Sequence, residues 1–294
     1  MLTGCRRATH QLRPQPRSRH RRIEEASSWN ELSLQLQIQT KDLPPHNLKE
    51  SAPHRDPSAR TLTTLSGRLQ QYGVSVELAK QVWSQVDGSA HLVIPLGSTE
   101  QHGPHLPLDT DSRIAEAVAQ AAASQTGATV APVLAYGASG EHAGFPGTLS
   151  IGTEVLQTVL VELVRSAALT FDKIMFVNGH GGNHSGLTAA ADQMTSEGHN
   201  VSLWFPKLAG GDAHAGRTET SLMLAIAPET VQIAQAEAGN TAPVRDLLAK
   251  MQASGVASVS PNGVLGDPAG ATALEGRQML EFLVADLIEH LRTA

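Results

Sequence analysis

From about residue 75 onward, short wholly apolar runs alternate with stretches whose apolar residues recur every third or fourth position. The runs are His91–Leu96 (HLVIPL), Thr129–Leu134, Lys173–Val177 (KIMFV) and Val201–Phe205, each short enough to be a strand buried on both faces. The helical stripes begin with Leu78, Val82 and Val86, which predict a helix over Val74–Val86 closed by Gly88. Ile114, Val118 and Ala121 predict a helix over Asp111–Thr126 with Gly127 as its stop. Leu156, Leu160, Leu163 and Ala167 predict one over Thr153–Thr170, with Thr153 as N-cap. Further helices are expected over Asn183–Glu197, Arg217–Ala227, Ala242–Met251 and Leu274–Leu291. Tyr136–Gly152 and Gly263–Ala273 are too rich in Gly or Pro for either element, and a loop as long as the first is usually functional. Strand and helix in alternation argue an α/β fold, a mostly parallel sheet sandwiched by helices. No repeat or linker interrupts residues 61–294, so they are read as a single domain.

Charge separates the first 60 residues from this body. They hold 11 of the 22 Lys and Arg and 6 of the 28 acids, a net of +5, which leaves −11 on residues 61–294. Arg6-Arg7, Arg21-Arg22 and scattered Pro and Ser cannot bury enough apolar surface to offset the entropy of ordering. Residues 1–60 are expected to be a disordered basic tail or the product of a start assigned too far upstream. A nucleic-acid arm or transit peptide is the lesser reading, because the arginines have no spacing with aromatics. The acidic body argues against a nucleic-acid partner. The lone Cys5 allows no disulfide within the chain and gives no basis for a thiolate metal site. No apolar run approaches the ~20 residues of a membrane span, and the basic amino terminus lacks an apolar signal core. The expectation is a soluble cytoplasmic protein.

The candidate chemistry lies after the predicted strands, where open α/β sheets carry their sites. STEQHGPHLPLDTD (Ser98–Asp111) follows the first, GASGEH the second, NGHGGN (Asn178–Asn183) the third and DAHAGRTE (Asp212–Glu219) the fourth. Glu100 and His102 are two apart, which in extended chain puts both side chains on one face. Asp111 opens a helix, where the dipole favours a carboxylate. His180 sits among glycines and Glu219 on the helix after the fourth strand. Three carboxylates and two imidazoles suit two divalent ions, with one carboxylate bridging, and the absence of cysteine from these motifs steers toward zinc, iron(II) or manganese.

STEQHGPHLP, FPGT (Phe145–Thr148), NGHGGN and HAGRTETS (His214–Ser221) resemble the creatininase family, in family order and over about residues 75–290. GASGEHAGFPGT, GNTAP (Gly239–Pro243) and GVLGDP (Gly263–Pro268) are similar to its mycofactocin-system branch. The resemblance implies a three-layer α/β/α fold, a two-metal site, a homo-oligomer (a hexamer or similar), and amide hydrolysis by a metal-bridging water. For the branch it implies a peptidase that releases the modified C-terminal Val-Tyr dipeptide of a precursor peptide. It further implies Glu100, His102, Asp111 and His180 as metal ligands, Asp111 as the bridge, and His214 as carrier of the proton to the leaving nitrogen. The sequence departs from creatininase at Gly182, where that enzyme has a glutamate ligand; Glu219 is the expected replacement. Creatininase's substrate-gripping tryptophans also lack counterparts. His142 and Ser139 are expected to face the substrate.

Plainer readings stand beside these. His105 and Asp109 are expected to support the site rather than ligate, and His184 to be an exposed or substrate-side residue. His91, His199 and His290 are read as structural or solvated, Asp267 as a turn residue, Glu141 as a substrate contact or surface. NGHGGN lacks the Lys-Ser/Thr of a phosphate loop, and none of Ser98, Ser139 and Ser150 lies in a GxSxG elbow. The alternatives to a peptidase are an amidohydrolase of a small cyclic amide or formamide, and a metal-binding scaffold without activity.

Overall fold

The computed structural model describes residues 76–294; the expectations for residues 1–60 lie outside them. Four parallel strands form one sheet: β1 (Leu92–Leu96), β2 (Thr129–Val130), β3 (Ile174–Asn178) and β4 (Val201–Trp204), in the order β2-β1-β3-β4. The helices are α1 (Thr110–Thr126), α2 (Thr153–Ala167), α3 (His184–Ser196), α4 (Arg217–Ile226), α5 (Val244–Ser254) and α6 (Ala273–Thr293).

The strands are apolar on both faces because each face meets helices. Val93, Met175, Val177 and Trp204 pack with Val118 and Ala122 of α1, Met223 of α4, and Leu283 and Leu287 of α6. Leu92, Ile94, Leu96, Ile174 and Phe176 pack with Leu156 and Leu160 of α2 and Leu187 and Met194 of α3. These three layers make the expected α/β/α sandwich. Trp204 Nε1 donates to Asp286 Oδ2 at 2.7 Å, tying the edge strand to α6.

The connection from β1 to β2 runs through α1 on one face, and that from β2 to β3 through α2 on the other. The sheet therefore has its switch point between β1 and β3, where a crevice opens beyond the carboxyl ends of the strands.

Three local expectations fail. Residues 76–86 form no helix but two 3₁₀ turns, Leu78–Lys80 and Trp83–Gln85. The cause is β2: the Val76 carbonyl accepts from Val130 N–H and Glu77 bridges Val130, which holds the segment extended. The second strand is only two residues long, because Pro132 lacks an N–H for the ladder, though Leu134 N–H returns to the Pro95 carbonyl. In α2 the N-cap is Gly152 rather than Thr153, and Val161 and Val164 turn inward where Leu163 was expected.

Candidate metal centre

Four loops meet at the switch point. The chain after β1 carries Glu100 and His102, and the first turn of α1 carries Asp111. A 3₁₀ turn over Gly140–His142, after β2, carries Glu141 and His142; His180 follows β3; His214 and Glu219 flank the start of α4. Gly179 lets β3 end against α1: a Cβ there would overlap the Asp111 carbonyl oxygen.

Asp111 stands between two imidazoles. Its Oδ1 is 3.0 Å from His102 Nε2, and its Oδ2 is 3.1 Å from His180 Nδ1. Ser98 Oγ donates to Oδ2 at 2.8 Å. His102 Nδ1 lies 3.1 Å from the Glu100 carbonyl, which can only accept, so Nδ1 carries the hydrogen and Nε2 faces the carboxylates. His180 Nε2 likewise donates to the Ala138 carbonyl at 3.3 Å, leaving Nδ1 toward Asp111. Glu219 Oε2 is 3.9 Å from His102 Nε2 and accepts from Ala215 N–H at 2.6 Å. That N–H is aimed by Ala215 itself, held buried at φ 52°, an uncommon conformation for a residue with a Cβ.

Ligand atoms within 4.8 Å of one another form three groups among the described residues: Glu100, Asp111 and His180; His102, Asp111 and Glu219; and Glu100, His102 and His214. The first two share Asp111. Glu100 is fully buried, and among the described residues neither carboxylate oxygen has a hydrogen-bond partner, although His180 Nε2 is 3.1 Å and His142 Nε2 3.3 Å away. An unsatisfied buried carboxylate is costly, and a cation beside it removes the cost. The donor set of carboxylates and imidazoles without sulfur fits a divalent metal.

The charges respond accordingly. Burial opposes protonation of His102, but Asp111, Glu219 and Glu100 outweigh it and lift the ring to about 10. Burial also opposes a charge on His180, yet Glu100 and Asp111 hold it well above its ordinary value. Burial would raise Asp111, but the His102 and His180 rings bring it well below the usual carboxylate range. Glu219 rises to about 7 through burial, with Asp111 and Glu100 adding to the effect. His214 is depressed well below its usual range, by burial first and then by His102 and His142. It is a neutral ring beside the charged ring of His102.

A cavity of about 400 Å³ opens over this cluster. Asp111, His142, His180, His214 and Glu219 reach its floor; Val244, Leu248 and Met251 of α5, with Leu265, make an apolar wall. A few convergent polar groups under an apolar wall are the usual form of a ligand site.

Ser139, expected to face the substrate, does not line this cavity. It is fully buried, its N–H donates to Ser150 Oγ, and it begins the turn that presents Glu141 and His142. His105 is buried with Nε2 2.9 Å from Thr220 Oγ1, Asp109 pairs with Arg113, and the His184 ring lies 5.1 Å from that of Phe205. Glu141, read from the sequence as a substrate contact or surface, faces the cavity, and Gln101 is the residue the sequence reading missed. Glu141 lines the cavity with Oε1 3.4 Å from His180 Nε2. It occupies the space beside Gly182, where a Cβ would overlap Glu141 Oε1, His180 Nε2 and the Ala138 carbonyl. Gln101 is buried among His142, His214 and Gly263. Its place within STEQHG, between Glu100 and His102, was the available signal.

The switch-point crevice, the two acid–imidazole groups sharing an aspartate and the neutral histidine beside them define an α/β protein with a candidate dinuclear metal site. Residues 79–291 match the family described as Creatininase: Creatinine amidohydrolase. The chain is 50% identical over 225 residues to the mycofactocin precursor peptide peptidase of Mycobacterium ulcerans, covering 73% of this chain and 90% of that protein. It is 30% identical over 197 residues to the creatinine amidohydrolase of Pseudomonas putida, covering 54% and 75%. A mutant creatininase of Zn-Zn type aligns with a TM-score of 0.64 at 25% identity, covering 74% of this chain and 98% of the other. This chain belongs to the creatininase family.

Proposed function

We propose that the chain is a metal-dependent peptidase acting on the mycofactocin precursor peptide, releasing its modified C-terminal Val-Tyr dipeptide. The observation that carries this reading is Asp111 shared between two close ligand groups beneath a cavity with an apolar wall. The relative from Mycobacterium ulcerans, matched over 90% of its length, supports the choice of substrate.

The reading takes two divalent ions per subunit, zinc, iron(II) or manganese. Glu100, Asp111 and His180 would hold one and His102, Asp111 and Glu219 the other, supplying Lewis-acid polarisation of an amide carbonyl and acidification of a water. The residues of the chain do the rest. Val244, Leu248 and Met251 exclude water from one side and pack against the substrate's apolar side chains. His142, buried at the floor, faces the scissile region. His214 is neutral, and its Nδ1 lies 3.8 Å from Glu100 Oε1, toward the cluster. It takes up one proton at Nδ1 and gives it to the departing nitrogen, ending as it began. The same reading takes the protein to be a cytoplasmic homo-oligomer, a hexamer or similar; among the described residues no helix is long and apolar enough to cross a membrane.

A second reading, hydrolysis of a small cyclic amide or formamide, is favoured by a Methanothermobacter marburgensis deformylase of a formylamino-pyrimidine nucleotide, 34% identical over 163 residues. Chelator-treated protein incubated with the modified precursor peptide, with and without added Zn²⁺, Fe²⁺ or Mn²⁺, separates the two by mass spectrometry. Loss of the two C-terminal residues only when metal is restored is expected. Turnover of creatinine or a formamide with the peptide untouched would select the second reading. Cleavage indifferent to chelator would exclude both.

A further inference from the structure

The Gln101 amide nitrogen lies within hydrogen-bond distance of three groups. Its Nε2 is 2.8 Å from His142 Nδ1, 3.0 Å from His214 Nε2 and 3.1 Å from the Gly263 carbonyl. Its Oε1 accepts from Gly103 N–H at 2.8 Å, which fixes which end of the amide is nitrogen. Its own backbone carbonyl lies 2.8 Å from His214 Nε2, and its N–H donates to Thr148 Oγ1 at 3.1 Å. One residue thus presents both an acceptor and a donor to the same ring nitrogen of His214. An amide has two N–H bonds, so it can donate to only two of these three positions at once.

The count resolves once the state of His214 is specified. When Nε2 carries a hydrogen, it donates to the Gln101 carbonyl, and the amide serves His142 Nδ1 and Gly263. When Nε2 is bare, one amide N–H turns to it. His214 therefore keeps a partner on its outer nitrogen in either neutral form, in a site where a buried unpaired nitrogen would otherwise be costly. The ring's inner nitrogen, Nδ1, is left free toward the cluster in the first form. The same amide makes His142 Nδ1 an acceptor, so that His142 carries its hydrogen on Nε2, facing Glu100 Oε1 at 3.3 Å.

We propose that Gln101 is a positioning residue that holds the His214 ring with its inner nitrogen toward the reacting groups and satisfies its outer nitrogen in either tautomer, while fixing the tautomer of His142. Gln101 contacts substrate at no point in this arrangement; it acts through the two rings. The inference rests on the reading that His214 carries the proton.

The test is Q101M, which keeps the length of the side chain and removes both amide functions, with Q101E, which keeps the acceptor for Gly103 and removes the donors. In zinc-loaded protein, long-range ¹H–¹⁵N spectra report the tautomer of each histidine. The wild type is expected to show His142 protonated on Nε2 and His214 on Nε2; both variants are expected to lose the His142 preference. With the precursor peptide as substrate, kcat should fall by roughly 10–100-fold, as for other residues that hold a functional histidine, with KM and bound metal unchanged. Tautomers and kcat unchanged in both variants would overturn the inference, as would activity lost only in proportion to lost metal. H214A separates the two levels. If H214A keeps near-normal turnover, the proton-carrying role itself fails. If H214A is inactive while the Gln101 variants behave as wild type, only the positioning role fails.

Discussion

His102 and His214 carry the same side chain, and their ring centroids are 4.3 Å apart, yet their surroundings push their pKa values in opposite directions. Burial opposes a charge on both. His102 also faces Asp111 and Glu219, whose charges lift it to about 10; His214 faces the rings of His102 and His142 and falls well below its usual range. A ring raised in this way contributes stability that is complete below its unfolded value of 6.5 and is lost as pH rises through about 10. Metal-free protein should therefore melt at progressively lower temperature from pH 6.5 to about 10, which calorimetry of the chelator-treated protein checks. A bound cation replaces those protons, so metal affinity should fall as pH is lowered, with proton release measurable by titration in buffers of different ionisation enthalpy. Glu219 is the residue with the most to decide. E219Q should bind about one equivalent of metal where the wild type binds two, with its fold unchanged by circular dichroism; two full equivalents retained would remove Glu219 from the ligand set. At this scale the sequence named the residues with strong chemistry and missed Gln101. A neutral amide has no charge or nucleophilicity to mark it, and its place between Glu100 and His102 was the one signal on offer.

Among the elements, α5 is the one whose sequence and position pull apart. It has no buried residue, and its Val244, Leu248 and Met251 line the cavity rather than a core. L248A should accordingly cost less than ~1 kcal/mol of stability while raising KM for the precursor peptide by roughly 3–10-fold, the effect of losing part of a leucine contact. L160A, on the buried face of α2, should do the reverse: roughly 2–5 kcal/mol lost from thermal unfolding, with turnover at low temperature little changed. The turn after β3 makes a third case. G182A forces a Cβ onto Glu141, His180 and the Ala138 carbonyl. Metal bound by Glu100, Asp111 and His180 should weaken, measurable against a chromophoric chelator, with the ligands themselves intact. Strands and long helices were legible because their apolar period is set by local geometry. The segment at 76–86 was not, because pairing with Val130 across more than forty residues overrides a weak local stripe.

For the molecule as a whole, the order β2-β1-β3-β4 explains why residues from Glu100 to Glu219 share one site. The reversal between β1 and β3 brings the chain after each of these strands to the same crevice, and α1 and α4 pack on one face to add Asp111 and Glu219. Family membership agrees with this architecture and reaches across residues 79–291. Motif order in the sequence disclosed which loops were involved, but the pairing of groups around a single aspartate needed three dimensions. A two-metal site here requires Asp111 to serve both groups at once. Elemental analysis of dialysed wild type and D111N, made in parallel, addresses that dependence most directly. Two equivalents of divalent metal in the wild type and fewer than one in a folded D111N are predicted; a D111N protein that keeps both ions would contradict the shared-aspartate site.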